Sequence, residues 1–141
     1  MNLFWILLFG SFNAVNDAPV KLNAGANEIQ LRRPISAINS GAMLQIDISS
    51  NIPKSDLTLD LSEKWIEKNI KKGCFKAVLR GPGAPATTLE FGGALAFSPG
   101  KVFLTLVSRT GVVEKKYFKS LTLHSCKSMN NVDIYWQNYK L

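Results

Sequence analysis

The chain has 141 residues, of which 46% are hydrophobic and 19% are charged. This composition excludes an intrinsically disordered protein, because such chains carry too little apolar surface and too much charge to form a core, and the length is that of a single domain. Seventeen lysines and arginines against ten acids give a formal net charge of +7, which favours anionic partners and excludes most cationic ones.

Residues 3–9 form an apolar run that is followed by small and polar residues up to Ala18. The run has the length of the apolar part of a signal peptide and is too short to cross a bilayer unaided. It predicts a signal peptide or hydrophobic leader over residues 1–18, a single domain over residues 19–141, and a periplasmic or secreted protein. No basic residue precedes the run and no clean cleavage motif follows it, so an uncleaved anchor and a buried N-terminal segment of a cytosolic protein are the alternatives.

Alternating apolar and polar residues predict short β-strands after this leader. The clearest case is Leu44, Ile46 and Ile48, which alternate with polar residues and indicate one buried and one wet face. The strands predicted in the first half of the chain cover residues 28–32, 44–49 and 57–61.

The period then changes to that of a helix, which we predict at about 62–72. Trp65, Ile66 and Ile70 fall on one side, and glutamates and lysines fall on the other. Asp60 and Glu63 have the spacing of a capping box, and Gly73 is a typical C-terminal stop.

The second half returns to segments rich in β-branched and aromatic residues. Segments rich in glycine and proline separate them, including 81–85 and the predicted turn at 98–101, and 109–111 is a predicted hairpin loop. Seven to eight short strands with one helix predict a mainly β fold, an antiparallel β-sandwich that is Ig-like or jelly-roll-like. The strands predicted here cover residues 74–80, 89–91, 102–108, 117–126 and 132–139.

The two cysteines, Cys74 and Cys126, can pair if the protein is exported. A bridge across about 50 residues would contribute roughly 4 kcal/mol in the chain-entropy treatment. The alternative is two buried thiols that behave as small hydrophobic groups. Their separation excludes a CxxC redox motif, and with one histidine in the chain a zinc site lacks its usual ligands. We therefore predict a disulfide and neither a metal nor a cofactor.

No residue pattern identifies a catalytic site. His124 would share a strand face with Thr122 and Cys126, but side chains two apart on a strand lie roughly 7 Å apart, too far for a Cys–His pair. The acids are scattered, and no phosphate-binding glycine loop is present. We predict a protein that is not an enzyme; a small glycan hydrolase whose carboxylates meet only in the fold is an alternative.

Lysines are concentrated on the predicted helix and near the later strands. They can be ordinary solvated surface, or a face for an anionic protein, glycan or lipid headgroup. Nucleic acid is disfavoured, because no nucleic-acid-binding motif accompanies the charge. The basic residues predicted to bind are Lys64, Lys68, Lys71, Lys72, Lys115, Lys116 and Lys119.

The last predicted strand places Tyr135 and Tyr139 on the same side. Two tyrosines beside polar groups can stack on a sugar ring or anchor a protein interface, and cross-strand aromatic packing is the alternative.

These observations favour an exported, non-enzymatic binding protein that recognises an anionic macromolecule, for example an inhibitor or immunity-type protein with an acidic partner. The alternatives are a carbohydrate-binding β-sandwich that uses the two tyrosines, the glycan hydrolase, and a structural component held by an uncleaved leader.

Overall fold

The structure is a computed structural model, and it describes residues 12–36, 43–82, 84–94, 98–106 and 117–137. Eleven strands and one α-helix lie in these ranges, so the predicted mainly β class with one helix is confirmed. Two short 3-10 helices, Ser49–Asn51 and Lys54–Asp56, precede the α-helix. In chain order the elements are β1 (Phe12–Ala14), β2 (Val20–Leu22), β3 (Gly25–Ile29), β4 (Ile35–Ser36), β5 (Met43–Asp47), α1 (Leu59–Asn69), β6 (Phe75–Gly81), β7 (Ala84–Ala94), β8 (Lys101–Leu106), β9 (Tyr117–Phe118), β10 (Ser120–Ser125) and β11 (Met129–Gln137).

The strands pair antiparallel in one curled sheet with the order β1-β11-β5-β8-β7-β6-β10-β3. Strand β2 pairs with the first half of β11, and β1 pairs with its second half. The remaining strands, β4 and β9, form a separate two-stranded sheet. The two edges approach each other, since the Arg32 backbone N–H, just after β3, donates to the Val15 carbonyl, just after β1, at 2.8 Å. A sheet whose edges meet in this way encloses its apolar side.

Strand β7 allows the sheet to curl. Its first part pairs with β6, its second part pairs with β8, and the register with β8 shifts between Phe91 and Gly93. Such a bulge bends a strand. A Cβ atom at Gly92 would overlap the ring of Phe103, so glycine at this position lets the ring lie against the backbone.

One hydrophobic core lies inside the curled sheet. The inward side chains alternate along each strand, as Leu44 and Ile46 do on β5 and as Ile134 and Trp136 do on β11, and all are at most 6% exposed. Residues i and i+2 of a strand face the same side, so the alternation in the sequence identified these core positions correctly.

The helix begins and ends three residues earlier than the predicted span of 62–72. Its N-cap is Thr58, whose hydroxyl accepts a hydrogen bond from the Leu61 backbone N–H at 3.2 Å, so the strand predicted over 57–61 is wrong. A threonine that satisfies a free N–H of the first turn stabilises a helix start, and here this outweighs the local alternation of leucines. At the other end Ile70 is extended and buried, while the Asn69 side chain donates to the Trp65 carbonyl at 2.8 Å.

None of the helices in the described ranges combines the length and the apolar character that crossing a membrane requires.

Two strand predictions and one predicted loop are displaced from the observed bounds. The segment 28–32 becomes β3, which ends at Ile29, and the short strand at 89–91 is the middle of the much longer β7. The separating segment predicted at 81–85 is shorter, because β6 includes Gly81 and β7 begins at Ala84. The predicted turn at 98–101 is supported by Gly100, whose φ of 75° suits the third position of a type II turn. The loop predicted at 109–111 lies outside the described residues.

The N-terminal leader stays a prediction, because residues 1–11 lie outside the described ranges. Residues 12–18 belong to the described fold: β1 pairs with the second half of β11, and Val15 is buried. Cleavage after Ala18 would therefore remove β1 and leave that edge of β11 without its neighbour.

Candidate functional site

The predicted disulfide between Cys74 and Cys126 is confirmed. Phe75 and Ser125 are partners in the β6–β10 register, so the two cysteines occupy the next position along these strands, with their Cα atoms 4.6 Å apart. The bridge therefore joins the segment that enters β6 to the segment that leaves β10.

Four lysines surround this bridge. Lys71 and Lys72 precede Cys74, Lys127 follows Cys126, and Lys76 lies on the outer face of β6, opposite His124 of β10. Lys71, Lys72 and Lys76 are exposed, and Lys127 is partly exposed. We call Lys71, Lys72, Lys76 and Lys127 the cationic end.

A small cleft of about 250 Å³ opens beside the cationic end. It is lined by Lys72, Gly73, Phe75, Lys76, Glu90 and Phe91. The rings of Phe75 and Phe91 have centroids 6.5 Å apart and form its apolar side, while Glu90 lies opposite Lys76 in the strand register. Pockets that enclose whole small ligands span roughly 300–1,000 Å³, so this cleft fits one group of a larger partner.

The structure separates the predicted basic residues. Lys64 and Lys68 lie exposed on α1, and Lys71 and Lys72 follow it, but Lys119 lies at the far end of β10. Its backbone N–H donates to the Arg80 carbonyl at 2.9 Å, and Ser120 and Ser125 are five residues apart, roughly 17 Å along a strand. Lys115 and Lys116 lie outside the described residues.

The helical lysines have limited ion pairing. Lys64 lies 3.4 Å from Asp60, but the two side chains are 69% and 77% exposed, so water screens the pair and it contributes little. Glu67 and Lys71 do not face each other as helical neighbours, because α1 ends at Asn69. The positive charge of this region therefore remains largely available to a partner.

Tyr135 lies on the outer face of β11, opposite Gln45 of β5, and is half-buried. Asp133 and Asp47 face each other one step along the same face. Burial, and then the nearby carboxylates of Asp133 and Asp47, raise the pKa of Tyr135 above its usual 10.0. Tyr139 lies outside the described residues.

We expect the raised pKa of Tyr135 to make the protein less stable in alkali. In the unfolded chain the tyrosine loses its proton near pH 10.0, but in the folded protein it holds the proton to higher pH. The stabilisation is therefore fully present below pH 10.0 and is lost as the pH rises through the folded pKa. Urea unfolding across this range should show a steeper loss of stability for the wild type than for Tyr135→Phe. Equal slopes would contradict the expectation.

Two glutamines on the face of Tyr135 are buried without hydrogen bonds. In the described part of the chain, Oε1 of Gln45 and both amide atoms of Gln137 lack a partner, and the residues are 5% and 1% exposed. Unpartnered buried groups of this kind cost about 1–3 kcal/mol each. A sugar on this face would have to displace the covering side chains before it reached either amide.

The outer face of β10 carries the groups that the catalytic alternatives would use. Cys126 is held in the disulfide and offers no thiolate to His124. The Thr122 hydroxyl donates to Oε1 of Glu28 at 2.6 Å and accepts from Nη1 of Arg80 at 3.3 Å, which ties three strands together. Within the described ranges, no three His, Cys, Asp or Glu side chains come together in a way that could hold a metal ion.

Sequence reasoning missed Lys76, Glu90 and Phe91 as members of the site. Lys76 was recognisable as an outward residue of a strand, because it alternates with Phe75 and Ala77. Its position opposite His124 and close to the disulfide depends on the register of β6 with β10, which no local pattern contains.

No protein-family model, no curated protein and no solved structure matches the chain.

Proposed function

We propose that this protein is an exported, non-enzymatic binding protein that recognises an anionic macromolecule through the cationic end. One observation supports the proposal most: Lys72 and Lys76 line a cleft with an apolar side, and Lys71 and Lys127 lie in the segments that flank the disulfide beside it. An acidic group of the partner would meet the lysines while an apolar group beside it covers the exposed part of Phe91.

The electrostatics of the whole chain act in the same direction. A net charge of +7 attracts anionic partners from a distance and raises the association rate. The cleft contains one carboxylate, Glu90, which lies opposite Lys76 and offsets only part of the local charge. We expect binding to be salt-sensitive for this reason.

The disulfide supports the export part of the proposal. Structural disulfides persist in oxidising compartments such as the periplasm and the extracellular space and are rare in the cytosol. Together with the predicted leader, the bridge favours a periplasmic or secreted protein. Such a compartment offers acidic proteins, acidic glycans and acidic lipids as partners. An inhibitor or immunity-type protein would bind an acidic protein.

The proposal is tested with a soluble polyanion, heparin, and two charge-reversal variants. Lys72→Glu with Lys127→Glu changes the cationic end, while Arg33→Glu with Lys119→Glu makes the same change of charge at exposed positions away from it. We expect the first variant to bind heparin about tenfold more weakly at low salt, because two attractions become repulsions. Titration with labelled heparin measures the dissociation constants.

The matched variant should bind nearly as the wild type does. Equal losses in the two variants would show that only the net charge matters, and the cationic end would then not be the site. Binding of uncharged glycans in the same assay, lost on Tyr135→Ala, would instead favour the carbohydrate alternative, and turnover of a glycan would favour the hydrolase.

A further inference from the structure

Helix α1 carries a patch that combines apolar, aromatic and cationic side chains. Leu61, Lys64, Trp65 and Lys68 stand at positions i, i+3, i+4 and i+7, so they adjoin on one flank of the helix. The buried side chains Ser62 and Ile66 point to the core, and Glu63 and Glu67 occupy the other flank. We call these four residues the helix patch.

The apolar part of the helix patch is unusually exposed. Two large hydrophobic residues of α1 are exposed, Leu59 at 47% and Leu61 at 41%. Both lie in the first turn of α1, but Leu59 stands one turn before Glu63 on the acidic flank. Trp65 packs partly against the core and is partly exposed. Leu61 and Trp65 therefore lie next to each other beside Lys64 and Lys68, and the Asp60 carboxylate lies 3.4 Å from the Lys64 ammonium group.

Further positive charge continues from the patch along the chain. Lys71 and Lys72 follow the end of α1 and are exposed, as are Lys64 and Lys68. A surface that presents leucine and tryptophan with lysines around them matches the boundary of an anionic bilayer, where the ring and the apolar chain enter the headgroup region and the ammonium groups reach lipid phosphates.

We propose that the helix patch docks this protein onto a membrane surface that contains anionic lipids. The proposal goes beyond the proposed function, because the helix patch and the cationic end are different surfaces of the protein. A lipid surface fits better than a protein, because a stable protein interface buries roughly 1,200–2,000 Å² and usually needs a complementary groove, whereas one helix flank is convex and offers four side chains. On a bilayer each lysine near the surface adds attraction without further contact area.

The test is co-sedimentation of the purified full chain with vesicles of equimolar phosphatidylcholine and phosphatidylglycerol, with phosphatidylcholine vesicles in parallel. We expect binding to the anionic vesicles at low salt, release at high salt, and a blue shift of tryptophan fluorescence that Trp65→Phe removes. Binding through the apolar residues 3–9 would depend neither on lipid charge nor on Leu61. These two controls therefore distinguish it from binding through the helix patch.

Two leucine variants provide the matched comparison. Leu61→Glu changes the helix patch, and Leu59→Glu makes the same substitution on the acidic flank. Each variant places a glutamate in the first turn of the helix, where a negative charge is compatible with the helix dipole. We expect Leu61→Glu to bind anionic vesicles about tenfold more weakly than Leu59→Glu, with both variants folded by circular dichroism. Equal binding by the two variants, or no charge dependence, would overturn the docking proposal.

If heparin binding persists while vesicle binding is absent, the cationic end recognises a soluble anion and the proposed function stands; if both are absent, both proposals are wrong.

Discussion

Replacing Cys74 and Cys126 together with alanine is expected to lower the free energy of unfolding by about 4 kcal/mol. The bridge closes a loop with a sequence separation of 52, and in the chain-entropy treatment a loop of this length restricts the unfolded chain by that amount. The loop contains β6 to β10, so most of the second half of the sheet is formed within it. Urea unfolding followed by tryptophan fluorescence, to which the buried Trp136 contributes, would measure the change.

Reduction provides the control for this prediction. A reducing agent should destabilise the wild type to a similar extent and leave the double variant unchanged, because the variant has no bridge to lose. If the oxidised wild type and the double variant unfold at the same urea concentration with the same slope, the bridge does not stabilise the fold. The double variant should also bind heparin more weakly, since Lys72 and Lys127 lose the link that holds their segments together.

Phe75→Ala is expected to cost about 3–5 kcal/mol of unfolding free energy. Phe75 is 0% exposed, lies next to the disulfide at the start of β6, and packs against Phe91. Removal of the ring loses the free energy of its burial and leaves a cavity on the core side of β6 and β7. A sheet held by continuous hydrogen bonds cannot close this cavity. Small domains are stable by roughly 5–15 kcal/mol in total, so the variant should unfold at a much lower urea concentration.

Lys76→Ala is the matched control, because Lys76 is the next residue on the same strand and is exposed. We expect its effect to stay within about 0.5 kcal/mol. If Phe75→Ala proves too unstable to purify, Phe75→Leu keeps most of the apolar volume and should show a smaller loss in the same direction. A Phe75→Ala variant as stable as Lys76→Ala would contradict the packing described for this end of the core.

The elements that sequence patterns located well are those in which local and tertiary preferences agree. In β5, Leu44 and Ile46 alternate with outward residues in the sequence and in the fold. Around Thr58 the two preferences differ: the leucines at 57, 59 and 61 alternate like a strand, but Thr58 caps a helix and leaves Leu59 and Leu61 exposed. Leu61, the exposed leucine of the helix patch, is therefore one of the residues at which the strand prediction was wrong.

The candidate site was predictable only in part. The lysine-rich stretch from 64 to 72 is visible in the sequence, and the disulfide prediction alone would have placed Lys127 near Lys72. Lys119 was expected to belong to the same binding set, yet the antiparallel course of β10 carries it to the opposite end of the strand from Cys126. Charge counts along a chain do not distinguish the two ends of a strand.

The amino-acid sequence by itself determined the mainly β class, the presence of one helix, the inward residues of the strands and the sign of the surface charge, because each depends on composition or on neighbours within a few residues. Only the tertiary structure decided that the strands form one curled sheet, that β7 bends at Gly92, and that four lysines converge around the bridge. Strand order and register depend on contacts between residues far apart in the chain, and the free energy of those contacts leaves no periodic trace in the sequence.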